Sequence, residues 1–344
     1  MATTTRTTET EARHLETDDQ IIEAAQALNV KPLWKEMARL NPSLPNPKCI
    51  PYIWRFKEVR PFLVRAGEVV SERQAERRVL MLVNPERDAP YTTDTLFGGL
   101  QLVMPNETAP AHRHTAFAMR FIIEGQGGYT AVHGQRIHMR RGDVILTPAW
   151  NWHDHGKDGS GPMIWLDGLD LPNFCHFPVH FVEHYEKPRY EAVDVDSNDS
   201  DIVFPWHSMQ AKLDSGEKWH GWRVEEYLRK DGKAVSKTLG GTAEILLPGA
   251  MSPVIRETAS SVYHVVEGSG FTDVDGRRID WQRGDTFCIP AWKKYRHVCC
   301  QPDCGPAAYL YRFHDRPMLE ALGLYRIECD ERMALEGTAG ENTA

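Results

Sequence analysis

The sequence predicts an all-β protein built from two copies of one domain behind a short helical arm, and three observations carry that prediction. Short β-branched and aromatic runs alternate with Gly, Pro and Asp turns over most of the chain. One long stretch recurs further along with its turn residues in place. Apolar spacing of helical period is confined to the N-terminal segment.

In chain order, "DDQIIEAAQALNV" from Asp18 sets acidic residues where a helix N-terminus favours them, and Pro32 opens a second helix, "PLWKEMARL". The proline-rich "NPSLPNPKCIPYIW" ends it. Strands follow at "RRVLMLV", "LFGGLQLVM", "MRFIIEG", "GYTAVHG" and "DVILTP". The repeat pairs "EGQGGYTAVHGQRIHMRRGDVILTPAWNWHDHG" (124–156) with "EGSGFTDVDGRRIDWQRGDTFCIPAWKKYRHVC" (267–299). Glu124 matches Glu267, Gly134 matches Gly276, Gly142-Asp143 matches Gly284-Asp285, and Pro148-Ala149-Trp150 matches Pro290-Ala291-Trp292. The expected organisation is a tail and helical arm (1–74), a first β-domain (75–175), a connector (176–234) containing "DVDSNDSD", a second β-domain (235–318) and a C-terminal tail (319–344).

The chain has 344 residues, 41% of them hydrophobic, enough for a large core. A formal charge of −8 without a dense Lys/Arg run argues against nucleic acid and anionic membranes as partners. No apolar run approaches the roughly 20 residues that span a bilayer. Seven scattered cysteines do not form a disulfide framework, and the start lacks the pattern of a signal peptide, so a cytoplasmic protein acting on a small ligand is expected.

The residues that carry chemistry are histidines. His112 and His114 lie two apart on a strand and so share a face, where they can grip one ion. The matching stretch "RGDVILTPAWNWHDHG" ends on His153 and His155, again two apart.

Together these stretches resemble the two cupin motifs, an HxH followed by a G-x5-P-x-G-x2-H pattern, whose histidines hold a metal inside a jelly roll. Gly142, Pro148 and His153 keep the spacing, with Trp150 where many cupins have Gly. The resemblance implies a bicupin of two jelly-roll β-barrels with His112, His114 and His153 as ligands. The Glu that cupins often add falls on Ala118 or Met119, which leaves three neutral imidazoles. Such a site suits iron, zinc, copper or nickel and leaves positions open for an anionic chelating substrate and dioxygen.

Beyond the ligands, "LQLVMPNETAPAHRHTAFAMRFIIEG" and "RGDVILTPAWNWHDHGKDGSGPMIWLDGLDLP" resemble gentisate 1,2-dioxygenases and their relatives that cleave salicylates and 1-hydroxy-2-naphthoate. The likeness runs from "PLWKEM" to "YRFHDRP". It implies an Fe(II) homotetramer that inserts both atoms of dioxygen and opens the ring of a 2-hydroxybenzoate, foremost gentisate, between the carboxyl- and hydroxyl-bearing carbons. Arg120, on the same face as His114 by period two, is the expected cation for the substrate carboxylate or a reduced oxygen species. His155 is the expected hydrogen-bond donor or acid/base. Gln101 matches a substrate-contacting position, Asp167 an acid that fixes an imidazole or Arg120, and Gly99 and Phe97 are expected to shape the pocket floor. A substituted salicylate or 1-hydroxy-2-naphthoate is the alternative substrate, and a non-catalytic ligand-binding bicupin the distant alternative function.

In the second copy Ile255, Glu257 and Tyr295 replace the three ligands, and His297 stands opposite His155. One iron per chain follows, with the second copy structural. His176, His180 and His184 recur every fourth residue, but Pro178 prevents the helix that would align them. His133 and His138 flank a turn and are expected to meet solvent. Cys299, Cys300 and Cys304 lack the paired spacing of a zinc site and are expected as free thiols.

Overall fold

The computed structural model describes residues 12–301 and 305–329. Met1–Asn46 and Pro47–Ala344 form two separate compact units. In the first, helix α1 (Asp18–Gln26) starts at Thr17, whose hydroxyl accepts from the Gln20 amide while the Gln20 side chain returns to the Thr17 amide. Helix α2 (Leu33–Leu40) begins directly after Pro32. It leaves Leu33, Trp34, Met37 and Leu40 exposed.

The larger unit opens with β1 (Tyr52–Trp54) and helix α3 (Phe56–Val69). The first half of the repeat then supplies β2 (Arg78–Met81), β3 (Phe97–Val103), β4 (Thr108–His114), β5 (Ala118–Glu124), β6 (Gly128–Val132), β7 (Gln135–His138), β8 (Val144–Thr147), β9 (His153–Lys157) and β10 (Met163–Leu169). Three short strands, β11 (Val182–His184), β12 (Val193–Asp194) and β13 (Val203–Phe204), come from the connector, as does helix α4 (Trp206–Ser215). The second half holds β14 (Trp222–Glu226), β15 (Gly240–Leu246), β16 (Ile255–Glu257), β17 (Ser261–Glu267), β18 (Ser269–Val274), β19 (Arg277–Gln282), β20 (Thr286–Ile289), β21 (Tyr295–Cys299) and β22 (Ala308–His314), then α5 (Arg316–Ala321) and β23 (Ile327–Cys329).

Each half is a pair of sheets. The first pairs β13-β8-β5-β10-β3-β2 with β11-β4-β9-β6-β7-β12, and the second pairs β1-β20-β17-β22-β15-β14 with β19-β18-β21-β16-β23. Two expectations are corrected here. The sheets are open at their ends rather than closed into jelly-roll barrels, because β13 and β2, or β1 and β14, end their sheets without pairing to each other. Helices are also not confined to an N-terminal arm, since α4 lies in the connector and α5 follows β22, so the fold is mixed rather than all-β.

A third cluster joins the halves and explains why strands such as β3 and β5 are buried on both faces. Ile122 of β5 faces the core of its own half, with Ile145 and Trp165. Met119, Phe121 and Ile123 face the opposite way, into a core shared with Val262, Tyr311 and Phe313 of the second half and with Leu63 of α3 and Met209 and Leu213 of α4. Phe121 stacks on Tyr311 at 4.8 Å across this boundary.

The repeated Gly-Asp turns anchor those helices. Gly142 and Gly284 both take φ +90°, and a Cβ on either would press into Trp206 or Phe56, at 2.6 and 3.1 Å. The following aspartates each accept the first helical amide: Asp143 from Trp206 of α4 at 2.9 Å and Asp285 from Phe56 of α3 at 3.1 Å. Among the described residues no helix is long and apolar enough to cross a membrane.

Candidate metal centre

β4 and β9 lie side by side, with His112 directly opposite His153. The pairing slips between Ala109 and His112, where Pro110 has no amide to give the ladder. The freed Pro110 carbonyl accepts His112 Nδ1–H at 2.9 Å. His114 Nδ1 is held in the same way by Ala116 O, and His153 Nδ1 by Asn151 O, each at 2.9 Å. With all three Nδ1 atoms committed as donors, each ring presents the Nε2 lone pair.

The candidate ligand atoms of His112, His114 and His153 lie within 4.8 Å of one another, and all three residues are buried. His153 Nε2 has no hydrogen-bond partner. Burial, reinforced by Arg77, lowers the His112 pKa to about 3, and burial, reinforced by Arg120, lowers that of His114 to about 4. Burial holds His153 well below the usual imidazole range. Neutral rings with convergent, preset lone pairs fit a single metal ion.

The surroundings are cationic. Arg120 of β5 stands opposite Asp167 of β10, and its Nε lies 3.0 Å from Asp167 Oδ1 in an ion pair buried on both sides. Its Nη1 donates to Thr147 Oγ1. Burial pushes the Asp167 carboxyl up, and Arg120 opposes that shift. His155 shares the His153 face of β9, with ring centroids 5.9 Å apart, and its buried Nδ1 lacks a partner. Burial and then Arg120 keep it neutral. Gln101 on β3 is buried opposite Trp165, and its Nε2 donates to nothing. Gly99, opposite Asp167, makes room for a ring: an added Cβ would meet Phe97 Cζ at 2.9 Å and Val79 Cγ1 at 2.7 Å.

Arg77 was not singled out by the sequence. Its Nη1 lies 2.7 Å from His112 Nε2, so a second guanidinium reaches the triad from just before β2. The preceding Glu76 takes φ +52°, which turns the chain toward the site. Sequence offers only the pair Arg77-Arg78, and Arg78 is committed elsewhere, to Glu107 and to Val70 O. His180 also approaches: its Nδ1 is 2.6 Å from Thr115 Oγ1 and its ring 6.4 Å from that of His114. His176 and His184 do not join it in a metal-binding group among the described residues. His133 and His138 are exposed, Cys299 and Cys300 are free thiols, and Cys304 lies outside the described residues.

The second half fills the equivalent space with its own charges. Glu257 pairs with Arg312 and accepts from Tyr295 at 3.1 Å and Tyr325 at 3.0 Å. Arg312 Nε donates to Ser261 Oγ at 2.8 Å, and Glu244 accepts from Trp222 Nε1 at 2.8 Å. A guanidinium thus balances the carboxylate where the first half gathers imidazoles.

The cupin domain family matches residues 99–169. Gentisate 1,2-dioxygenase 1 of Aquipseudomonas alcaligenes is 33% identical over 325 residues, covering 87% of this chain and 92% of that protein. The 5-aminosalicylate 1,2-dioxygenase of Comamonas sp. is 33% identical over 337 residues, covering 90% of this chain and 89% of its own. The crystal structure of a salicylate 1,2-dioxygenase from Pseudaminobacter salicylatoxidans is similar with a TM-score of 0.83 at 28% identity, over 91% of this chain and 98% of that one.

Proposed function

The chain belongs to the bicupin family of gentisate and salicylate 1,2-dioxygenases, and from that premise we propose that it is an Fe(II) enzyme that opens a 2-hydroxybenzoate between its carboxyl- and hydroxyl-bearing carbons. Gentisate is the favoured substrate, with substituted salicylates and 1-hydroxy-2-naphthoate as alternatives that offer the same chelating pair. The observation that carries the reading is the charge of the site: three neutral imidazoles with preset Nε2 lone pairs, two guanidiniums and, among the described residues, one carboxylate at Asp167 that is already paired.

His112, His114 and His153 would hold Fe(II), which would supply positive charge and affinity for the substrate's oxygens and for dioxygen. The protein's part is orientation and charge. Asp167 pairs with Arg120 at Nε and Thr147 accepts from its Nη1, which together hold the guanidinium in place for the substrate carboxylate. Gln101 brings an amide donor to the ring's substituents. His155, neutral and unpartnered at Nδ1, holds or passes a proton beside the reacting atoms. Phe97, seated over Gly99, sets the width of the ring slot. Arg77 Nη1 occupies the lone-pair side of His112 Nε2, so the guanidinium would turn aside if that nitrogen held an ion and would then offer a second contact to an anionic substrate.

One iron per chain is proposed, since the second half holds Glu257 and Arg312 in a satisfied pair. We further propose a cytoplasmic protein and, as the family resemblance implies, a homotetramer; the exposed apolar face of α2 supports self-association, since a partner surface would cover it. Oxygen uptake by Fe(II)-reconstituted protein tests the function. Gentisate or a salicylate should be consumed mole for mole with dioxygen, and benzoate and 3-hydroxybenzoate, which lack the chelating pair, should not. Turnover of benzoate at a comparable rate would falsify the chelate.

A further inference from the structure

A second cavity, of about 190 Å³, lies at the boundary between the two halves, away from the histidine triad. Its floor is apolar: Phe121 of β5 packs on the ring of His264 at 5.0 Å, with Val265 beside them. Its rim carries Arg141 and Arg283, the same residue in the two copies of the repeat, each directly before its Gly-Asp turn. Arg141 is tied across the cavity by a 3.0 Å bond from Nη2 to Val266 O. Arg283 has no ion pair among the described residues, and its charge acts against that of Arg141; burial and then this repulsion lower the Arg141 pKa, with Glu267 only partly offsetting them. Glu124 also lines the space, but Arg60 engages both of its carboxylate oxygens, at 2.9 and 3.0 Å. Two like charges at the rim of a small aromatic-floored hollow call for an anion with a flat apolar body.

We propose that this cavity is a second binding site for a one-ring aromatic monocarboxylate, its ring against Phe121 and His264 and its carboxylate between Arg141 and Arg283. The proposal does not depend on the substrate of the metal centre. Benzoate is the probe, titrated calorimetrically into the iron-loaded full-length protein. Because benzoate can also meet Arg120, the titration is repeated on Arg120→Ala and on Arg141→Gln/Arg283→Gln, the latter altering only exposed residues. One equivalent of benzoate is expected to persist in Arg120→Ala and to weaken at least tenfold in the double variant, whose oxygen uptake stays at the wild-type rate. Benzoate binding that disappears in Arg120→Ala and survives in the double variant would place all of it at the metal centre and overturn the proposal. Inorganic phosphate binding as tightly as benzoate would overturn the aromatic part of it.

Discussion

Residue by residue, the metal centre divides side chains that hold the ion from those that hold charge. His153→Ala removes one of three candidate ligands, so iron should fall below stoichiometry and oxygen uptake should vanish; plasma emission spectroscopy checks the first and an oxygen electrode the second. Arg120→Ala should keep the iron and lose roughly 10²- to 10³-fold in kcat/KM, the magnitude of losing one directed donor in a dry site. It should also destabilise the protein by about 3–5 kcal/mol in urea, because Asp167 is left buried without its partner. His297, outside the centre, gives a pH prediction. Burial lowers its pKa from 6.5 to about 3. Between those values the unfolded chain takes up a proton that the folded one refuses, so stability falls as pH drops, by about 1.4 kcal/mol per unit for one ring. Asp315, raised to about 7 by burial, acts in the opposite sense, since its folded form keeps the proton as pH rises. His297→Gln leaves Asp315 in place, so the stability profile should lose about 1.4 kcal/mol per pH unit of slope between roughly pH 6.5 and 3. An unchanged slope in urea titrations would mean His297 is protonated in the fold.

Among the elements, β3 sets the pocket most directly. Gly99→Ala forces a methyl against Val79 and Phe97, so it should cost about 1–3 kcal/mol by overpacking and shift KM by moving Phe97. Urea midpoints and substrate kinetics measure the two effects separately. The strands bearing the histidines were legible because period two and a Gly-Pro frame are local signals. The helices were less so. α3 contains Pro61, which reads as a break because it withdraws an amide from the helix interior, and α4 buries only Met209 and Leu213. The repeat exposed the Gly142-Asp143 and Gly284-Asp285 turns, yet nothing in it tells that each aspartate captures a helix from outside the repeat, because that contact spans 63 residues in one case and 229 in the other. Arg77 was hidden for a similar reason: its approach depends on the turn at Glu76, not on a motif.

Taken whole, the molecule is a duplication whose halves have diverged in what fills the same space. Metal analysis should return close to one iron per chain, and Arg312→Met should leave that number unchanged while destabilising the fold by about 3–5 kcal/mol, since Glu257 loses its counter-charge. Two irons per chain would contradict that division. Sequence showed the loss of ligands at Ile255, Glu257 and Tyr295; it could not show that Arg312, distant in the chain, had taken over as the cation. The three ligand rings of the first half rest on the carbonyls of Pro110, Ala116 and Asn151. Every residue type carries a carbonyl, so mutation at those positions can bend the anchor but cannot delete it. The anchoring of the three imidazoles is thereby insulated from side-chain changes at its margins, whereas Phe97, Gln101 and Arg77 act through their own side chains. Side chains around the slot can therefore change shape while the imidazole anchors stay where the backbone puts them.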